Sequence, residues 1–392
     1  MSLLAGFFLN PLFLLAVVAF LGSRLLRHRS AALKLILFNA LTILCLFALF
    51  DLLAAVLLLP EQARFRTMDR FTHHGLQPLI DRETKWGDIS TPYRVRTNDL
   101  GMVDATMRTV PKKSDKKRIL LLGDSFVEGV GLPWEDTFAG MLSADLAPRG
   151  VEVLNAGVAS YSPKLYYLRM QQVLAAGLQV DEVFLFLDIG DIQDEVVYDY
   201  FVPDKEPVDP LMNRAMIFFS HHSWIYRSWH ERFFTRQENP KYEYGPYWGG
   251  IKGYHRVRAR WMYDTTEFER WGKEGLEKAT LHTEKLLALL KEHGIKVTLS
   301  IHPWPEHVRQ RISHSMHETH WKIFALDHAV ELIDLFPLFI NERPAEEVIA
   351  EYFIAGDIHW SRAGHRLVAD KVLERIGDKR TMNREVVHVA GR

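Results

Sequence analysis

One cysteine in 392 residues leaves no partner for an intramolecular disulfide and too few thiolates for a cysteine-based zinc site. That residue, Cys45, lies inside an apolar run, where a thiol behaves as a small hydrophobic side chain. Net charge is equally scarce: 48 Lys plus Arg stand against 49 Asp plus Glu, a formal balance of −1. A nucleic-acid partner needs a basic stripe, so none is expected. Internal repeats and low-complexity tracts are missing too. Aromatic residues, at 12% with ten Trp, are plentiful and bunch between Tyr198 and Tyr263. Most such residues fill cores, and binding of sugars or acyl chains at a rim is the alternative.

Ionisable side chains are absent from residues 3–22, about the 20 residues that a helix needs to cross a bilayer core. A second apolar run, residues 35–59, is interrupted only by Asn39, Thr42 and Asp51. Between the two stand Arg24, Arg27, His28, Arg29 and Lys34, which the positive-inside rule places in the cytoplasm. No basic stretch precedes the first run, so an anchor fits better than a cleaved signal peptide. Residues 1–60 are therefore expected to form a two-helix anchor in the inner (plasma) membrane, with the lipid bilayer as partner and the remainder periplasmic. Asp51, close to the end of its run, is expected to snorkel or pair locally rather than to mark a proton path.

Residues 61–115 are polar and turn-rich and read as a stalk and entry segment. From 116 to 380 strand and helix signals alternate. Short apolar runs at 118–122, 151–154, 183–187, 295–301 and 329–335 are strand candidates, and 183–187 has the continuous apolar character of a strand buried on both faces. Helical spacing covers 136–146, 164–176, 266–293 and 361–376. This alternation predicts an α/β fold with a parallel sheet of about five strands. An aromatic-rich insertion at about 195–262 follows the third strand, at the sheet edge where α/β proteins bind ligands. It reads either as a substrate cover or as a packing subdomain.

Ser125 comes directly after the run Ile119–Leu122, on a strand-to-helix turn that Gly123 can make tight. A serine there stands beside free backbone N–H groups that favour the oxyanion formed when an ester carbonyl is attacked. Capping the helix is the ordinary alternative. A nucleophilic serine needs a base, normally a histidine held by a carboxylate, and Asp357-Ile358-His359-Trp360 supplies both before the closing helix. Gly157, in Asn155-Ala156-Gly157 after the second strand, lets a backbone N–H approach a bound ester.

Together these segments resemble the SGNH (GDSL-type) hydrolases over residues 95–376. Gly123-Asp124-Ser125-Phe126 is similar to the first block of that family, Asn155-Ala156-Gly157-Val158 to the second, and Asp357-Ile358-His359-Trp360 with Gly364-His365 to the last. The resemblance implies a three-layer α/β/α fold with Ser125 as nucleophile, His359 as base and Asp357 as its partner. Ser125 and Gly157 would supply backbone donors, and acyl groups would be hydrolysed or transferred without a metal or cofactor. The third block departs: the family has Gly-x-Asn-Asp, with the Asn as a donor, whereas Gly190 precedes Asp191 here. Gln193 is a candidate replacement; a carboxylate at Asp188 or Asp191 donates only when protonated. The anchor and the Asp-x-His-Trp form also resemble enzymes acting on O-acetyl groups of bacterial envelope polysaccharides. That resemblance implies an O-acylated carbohydrate substrate and, for a transferase, a membrane partner supplying acyl groups.

Two rival readings come from the residues themselves. His314, His317 and His320, with His302 and His307 nearby, offer metal-ligand chemistry, but steps of three drift around a helix and do not readily share one ion. A non-catalytic carbohydrate-binding module of the same fold is the other. Trp304, in His302-Pro303-Trp304-Pro305 after the fourth strand, is a candidate pocket wall, with a rigid turn as the alternative.

Overall fold

The computed structural model describes residues 17, 31–58, 65–87, 91–207, 215, 219, 222–230, 258–312 and 314–389. The first expected span, apart from Val17, and residues 208–214 and 231–257 of the expected insertion lie outside them. The chain divides into two compact units, 1–77 with 203–237, and 78–202 with 238–392.

In the first unit a 28-residue helix, Ala31–Leu58, contains the window Phe38–Ala55, long and apolar enough to cross a membrane. It is the one such helix among the described residues. Its length of about 42 Å exceeds a bilayer core of about 30 Å. A hairpin follows, β1 (Arg66–Asp69) against β2 (His73–Leu76). Asp69 holds its turn by accepting the N–H groups of Phe71 and Thr72. Asp204 joins that turn through Arg70, at 3.1 Å. A short helix, Trp224–His230, completes the unit.

The second unit begins with another hairpin, β3 (Asp81–Thr84) and β4 (Tyr93–Arg96). Residues 78–115 group with the α/β unit. Val103 bridges to Asn155, and Arg108 pairs with Glu152, which fastens this segment to a strand of the main sheet.

That sheet has five parallel strands, β5 (Lys117–Leu122), β6 (Val151–Asn155), β7 (Glu182–Leu187), β8 (Lys296–Ile301) and β9 (Glu331–Asp334), in the order β6-β5-β7-β8-β9. All five expected strands are present. Burial follows position: every residue of central β7 is buried, whereas edge strand β9 buries one of four, as helices on both faces require. Helix Phe138–Leu146 packs with the closing helix Arg362–Val389, while Pro163–Ala175 and Asp191–Val197 pack on Lys273–Glu292. Right-handed crossovers put these two groups on opposite faces of the sheet, giving three layers. The expected helix 266–293 is present and carries a π-helical stretch at Phe268–Gly272, where Trp271 is buried.

The order places β6 on one side of β5 and β7 on the other. Loops leaving the carboxyl ends of β5 and β7 run apart there, and open parallel sheets bind ligands in the crevice this creates.

Candidate active site

Ser125 stands at that crevice. Asp124, leaving β5, caps the helix Ser125–Glu128 by accepting the Phe126 N–H at 3.0 Å. Ser125 thus opens a helix whose first N–H groups have no intrahelical acceptor. From the far end of the sequence comes the loop before the closing helix, held by the Ile354 N–H donating to the His359 carbonyl at 2.8 Å and by the Phe353–Trp360 bridge. It brings His359 Nε2 to 2.8 Å from Ser125 Oγ, and His359 Nδ1 to 2.8 Å from Asp357 Oδ1. Three of the sequence-marked residues thus form a continuous hydrogen-bonded relay.

The base is enclosed. Phe126 packs 4.8 Å from the His359 ring, and Trp86 meets it edge-on at 5.2 Å. Burial works against a charged His359, but Asp357, with Asp188 behind it, outweighs burial and lifts the imidazole above its ordinary 6.5. Ser125 is 8% exposed and His359 3%.

Behind the relay lies a second polar layer. Ligand atoms of Asp124, Asp188 and Asp191 all lie within 4.8 Å of one another, all buried. Three carboxylates so close in an apolar interior cannot all carry charge. Burial and the charge of Asp188 push Asp124 up to about 8, and burial with both neighbours drives Asp191 well above its ordinary value. Burial would raise Asp188 too, but His302 Nε2 at 3.1 Å, the Trp304 indole N–H at 2.6 Å and the Gly190 N–H at 2.8 Å hold it well below the carboxylate range. Charge therefore concentrates on Asp188. Ser125 Oγ lies 3.1 Å from Asp124 Oδ2, which connects this layer to the relay.

The remaining expected donors are placed differently. Gly157 approaches the Ser125 helix so closely that a Cβ would lie 2.5 Å from the Glu128 nitrogen. Its N–H donates to Asn155 Oδ1 at 3.0 Å, and Asn155 in turn donates to the Val127 carbonyl. Asp191 accepts the Tyr166 hydroxyl and the Asp188 N–H, inside its own loop. Gln193 buries its Oε1 without a hydrogen-bond partner among the described residues. Trp304 does not face an open pocket: it is 1% exposed and its N–H is spent on Asp188, the rigid-turn alternative.

Gly190 has a structural reason. A Cβ there would sit 2.7 Å from Arg258 Nη2 and 2.8 Å from Asp188 Oδ2. Arg258 fills the space a side chain would take, donating to the Gly190 carbonyl at 2.9 Å and to Asp194 at 2.5 Å. Trp261 adds a bond to the Ile189 carbonyl at 3.2 Å. Sequence reading missed Arg258, Trp86 and the Asp188–His302 pair. Only the positions of Asp188 and His302 directly after strands hinted at them.

Among the described residues the candidate metal-ligand histidines form no ion-sized group. His302, His307 and His317 are fully buried, with His317 against Trp261, Trp321 and Phe336. Among the described residues the groups close enough to share one ion are the three carboxylates, with no histidine.

No family model and no curated protein matches the sequence. Among solved structures, the chain is similar to an acetylxylan esterase from Geobacillus stearothermophilus, at 14% identity and TM-score 0.38, over 68% of this chain and 97% of that one. A GDSL-like lipase from Bacteroides thetaiotaomicron aligns at 12% and 0.37 over 69% and 93%. A lipolytic protein of the G-D-S-L family from Veillonella parvula aligns at 15% and 0.36 over 66% and 97%. Likeness this distant leaves the chemistry to be argued from the residues of this chain.

Proposed function

We propose that the chain is a serine ester hydrolase working through an acyl-Ser125 intermediate on O-acyl, and in particular O-acetyl, esters of envelope carbohydrate. The observation that carries this is the Ser125–His359–Asp357 relay, two contacts of 2.8 Å, the first joining residues 234 positions apart in sequence. His359 Nε2 takes the Ser125 proton as Oγ attacks the acyl carbon, and returns it to the leaving sugar hydroxyl. Asp357 holds the Nδ1–H tautomer and stabilises the imidazolium. Water deprotonated by the same ring then releases the acid. The Ser125 N–H faces the developing oxyanion; the Gly157 N–H joins it by sharing or leaving Asn155. Position 190 contributes no side-chain donor, and losing one such donor typically costs about 10²–10³ in rate. Trp86, edge-on to His359 and only partly buried, is the aromatic side chain placed to contact a sugar ring. The apolar helix Ala31–Leu58 anchors the enzyme in the inner membrane with the α/β unit on its periplasmic side.

A second reading, acyl transfer to a polysaccharide hydroxyl with acyl groups supplied by a membrane partner, is favoured by the burial of Ser125 and His359, which shields an acyl-enzyme from water. Purified protein given an acetyl ester with and without an oligosaccharide acceptor separates the two. Acetate release unaffected by acceptor supports the hydrolase, and acetylated oligosaccharide supports the transferase. Neither product would contradict both.

A further inference from the structure

The first unit carries an aromatic face that the reaction does not use. Asp51 is fully buried on the apolar helix Ala31–Leu58, in a stripe with Ala48, Leu52 and Ala55. These positions follow the i, i+3, i+4, i+7 spacing of one helix face. Its small residues allow a second helix to come close. The helix Trp224–His230 packs there. Asp51 Oδ1 accepts the Ile225 N–H at 2.8 Å, and Ser223 Oγ accepts the Tyr226 N–H at 3.0 Å. Both satisfy N–H groups in the first turn of that helix. Asp51 is thus a cap for a helix 174 residues away in sequence.

Among the described residues, the docked helix keeps three large apolar side chains exposed. Trp224 is 38% exposed, Ile225 42% and Trp229 49%. At about 100° per residue these three fall within an arc of about 140°. Two tryptophans and an isoleucine on one face, with Tyr226 and Arg227 beside them, have the composition of segments that sit at a membrane–water boundary. Exposed Leu46, Phe50, Leu53 and Leu57 continue the apolar surface along the span itself.

We propose that the Trp224–His230 helix is an interfacial membrane anchor, its Trp224–Ile225–Trp229 face lying in the head-group region beside the span. This rests on the reading that residues 31–58 cross a bilayer. This middle part of the aromatic-rich segment then serves the lipid, not the substrate.

The test uses the full chain reconstituted in phosphatidylcholine–phosphatidylglycerol vesicles, with lipids carrying a fluorescence quencher at a shallow or a deep position. Wild-type tryptophan emission should show a shallow-quenched component that a Trp224→Ser/Trp229→Ser variant lacks. Both proteins should float with the vesicles and label equally with a serine-directed fluorophosphonate. Asp51→Ala, which uncaps the helix, should reduce the same component without the tryptophan changes. Equal shallow quenching in wild type and double variant would overturn the proposal. So would protection of these tryptophans by concentration-dependent self-association, which would assign the face to a second copy. A chain that labels but does not float would overturn the span and this anchor together, leaving the reading of the active site intact.

Discussion

His359 must be neutral to take a proton from Ser125, yet its surroundings favour the charged ring. Asp357 at 2.8 Å, with Asp188 farther back, lifts its pKa above 6.5 against the pull of burial. The acid limb of kcat/KM should therefore rise through an apparent pKa above that of free imidazole, as the neutral base accumulates with increasing pH. Asp357→Asn removes the partner that raises it. The limb should move to lower pH while the plateau rate falls by orders of magnitude, on the scale seen when a triad carboxylate is replaced. A pH–rate series on both proteins measures the two effects together. Ser125, His359 and Asp357 were legible in the sequence because each follows a recognisable signal, an apolar strand for the serine and a loop before a helix for the pair. Arg258 carried no such signal. Its role depends on a contact with residues 64 and 68 positions away, which only the folded chain creates. Trp86 belongs to a segment that read as a stalk, and nothing in its neighbours' spacing points toward His359.

Elements explain why the loop after β7 departs from the expected pattern. Gly190 caps the helix Asp191–Val197, and the segment from 258 to 262 clamps this corner through Arg258 and Trp261. Asp194, pushed up to about 6 by burial against the pull of Arg258, is the buried partner of that guanidinium. Gly190→Ala should drive its Cβ into Arg258 and Asp188 and cost about 1–3 kcal/mol by overpacking. Arg258→Ala strands a buried carboxyl and should cost about 3–5 kcal/mol. Chemical denaturation reads both. Arg258→Ala combined with Gly190→Ala should cost less than the sum of the singles, since removing the guanidinium clears the space. Strand positions were readable because runs such as Val183–Leu187 are apolar throughout. The π-turn at Phe268–Gly272 was not, because helical periodicity continues across it and only the packing of Trp271 calls for the extra residue.

Across the whole molecule, buried titratable groups oppose one another. His307, His317 and His365 are lowered by burial to about 4, 3 and 3, so below pH 6.5 the unfolded chain binds protons that the folded chain refuses. Asp124 and Asp194, raised to about 8 and 6, do the reverse, binding protons when folded that the unfolded chain releases above pH 3.8. Stability should fall as pH rises through 8, from Asp124 together with the raised Asp191. Between about 4 and 6.5 the histidines and the raised acids offset each other. Below about 4 the unfolded acids protonate as well, Asp188 loses its depressed-pKa contribution, and stability should drop steeply. Thermal melting across pH 3 to 9 should show this asymmetric profile, and Asp124→Asn should flatten its alkaline side. A profile unchanged by that substitution would contradict a raised pKa at Asp124. None of this was visible in composition, because the near-zero net charge conceals which groups the fold removes from water.

The central claim is that Ser125 forms the acyl-enzyme. Mass spectrometry of the intact chain after brief exposure to a fluorophosphonate, followed by peptide mapping, tests it directly. The account predicts one adduct, on Ser125, lost in Ser125→Ala and strongly slowed in His359→Ala while both variants stay folded. An adduct on another residue, or undiminished labelling of Ser125→Ala, would contradict it.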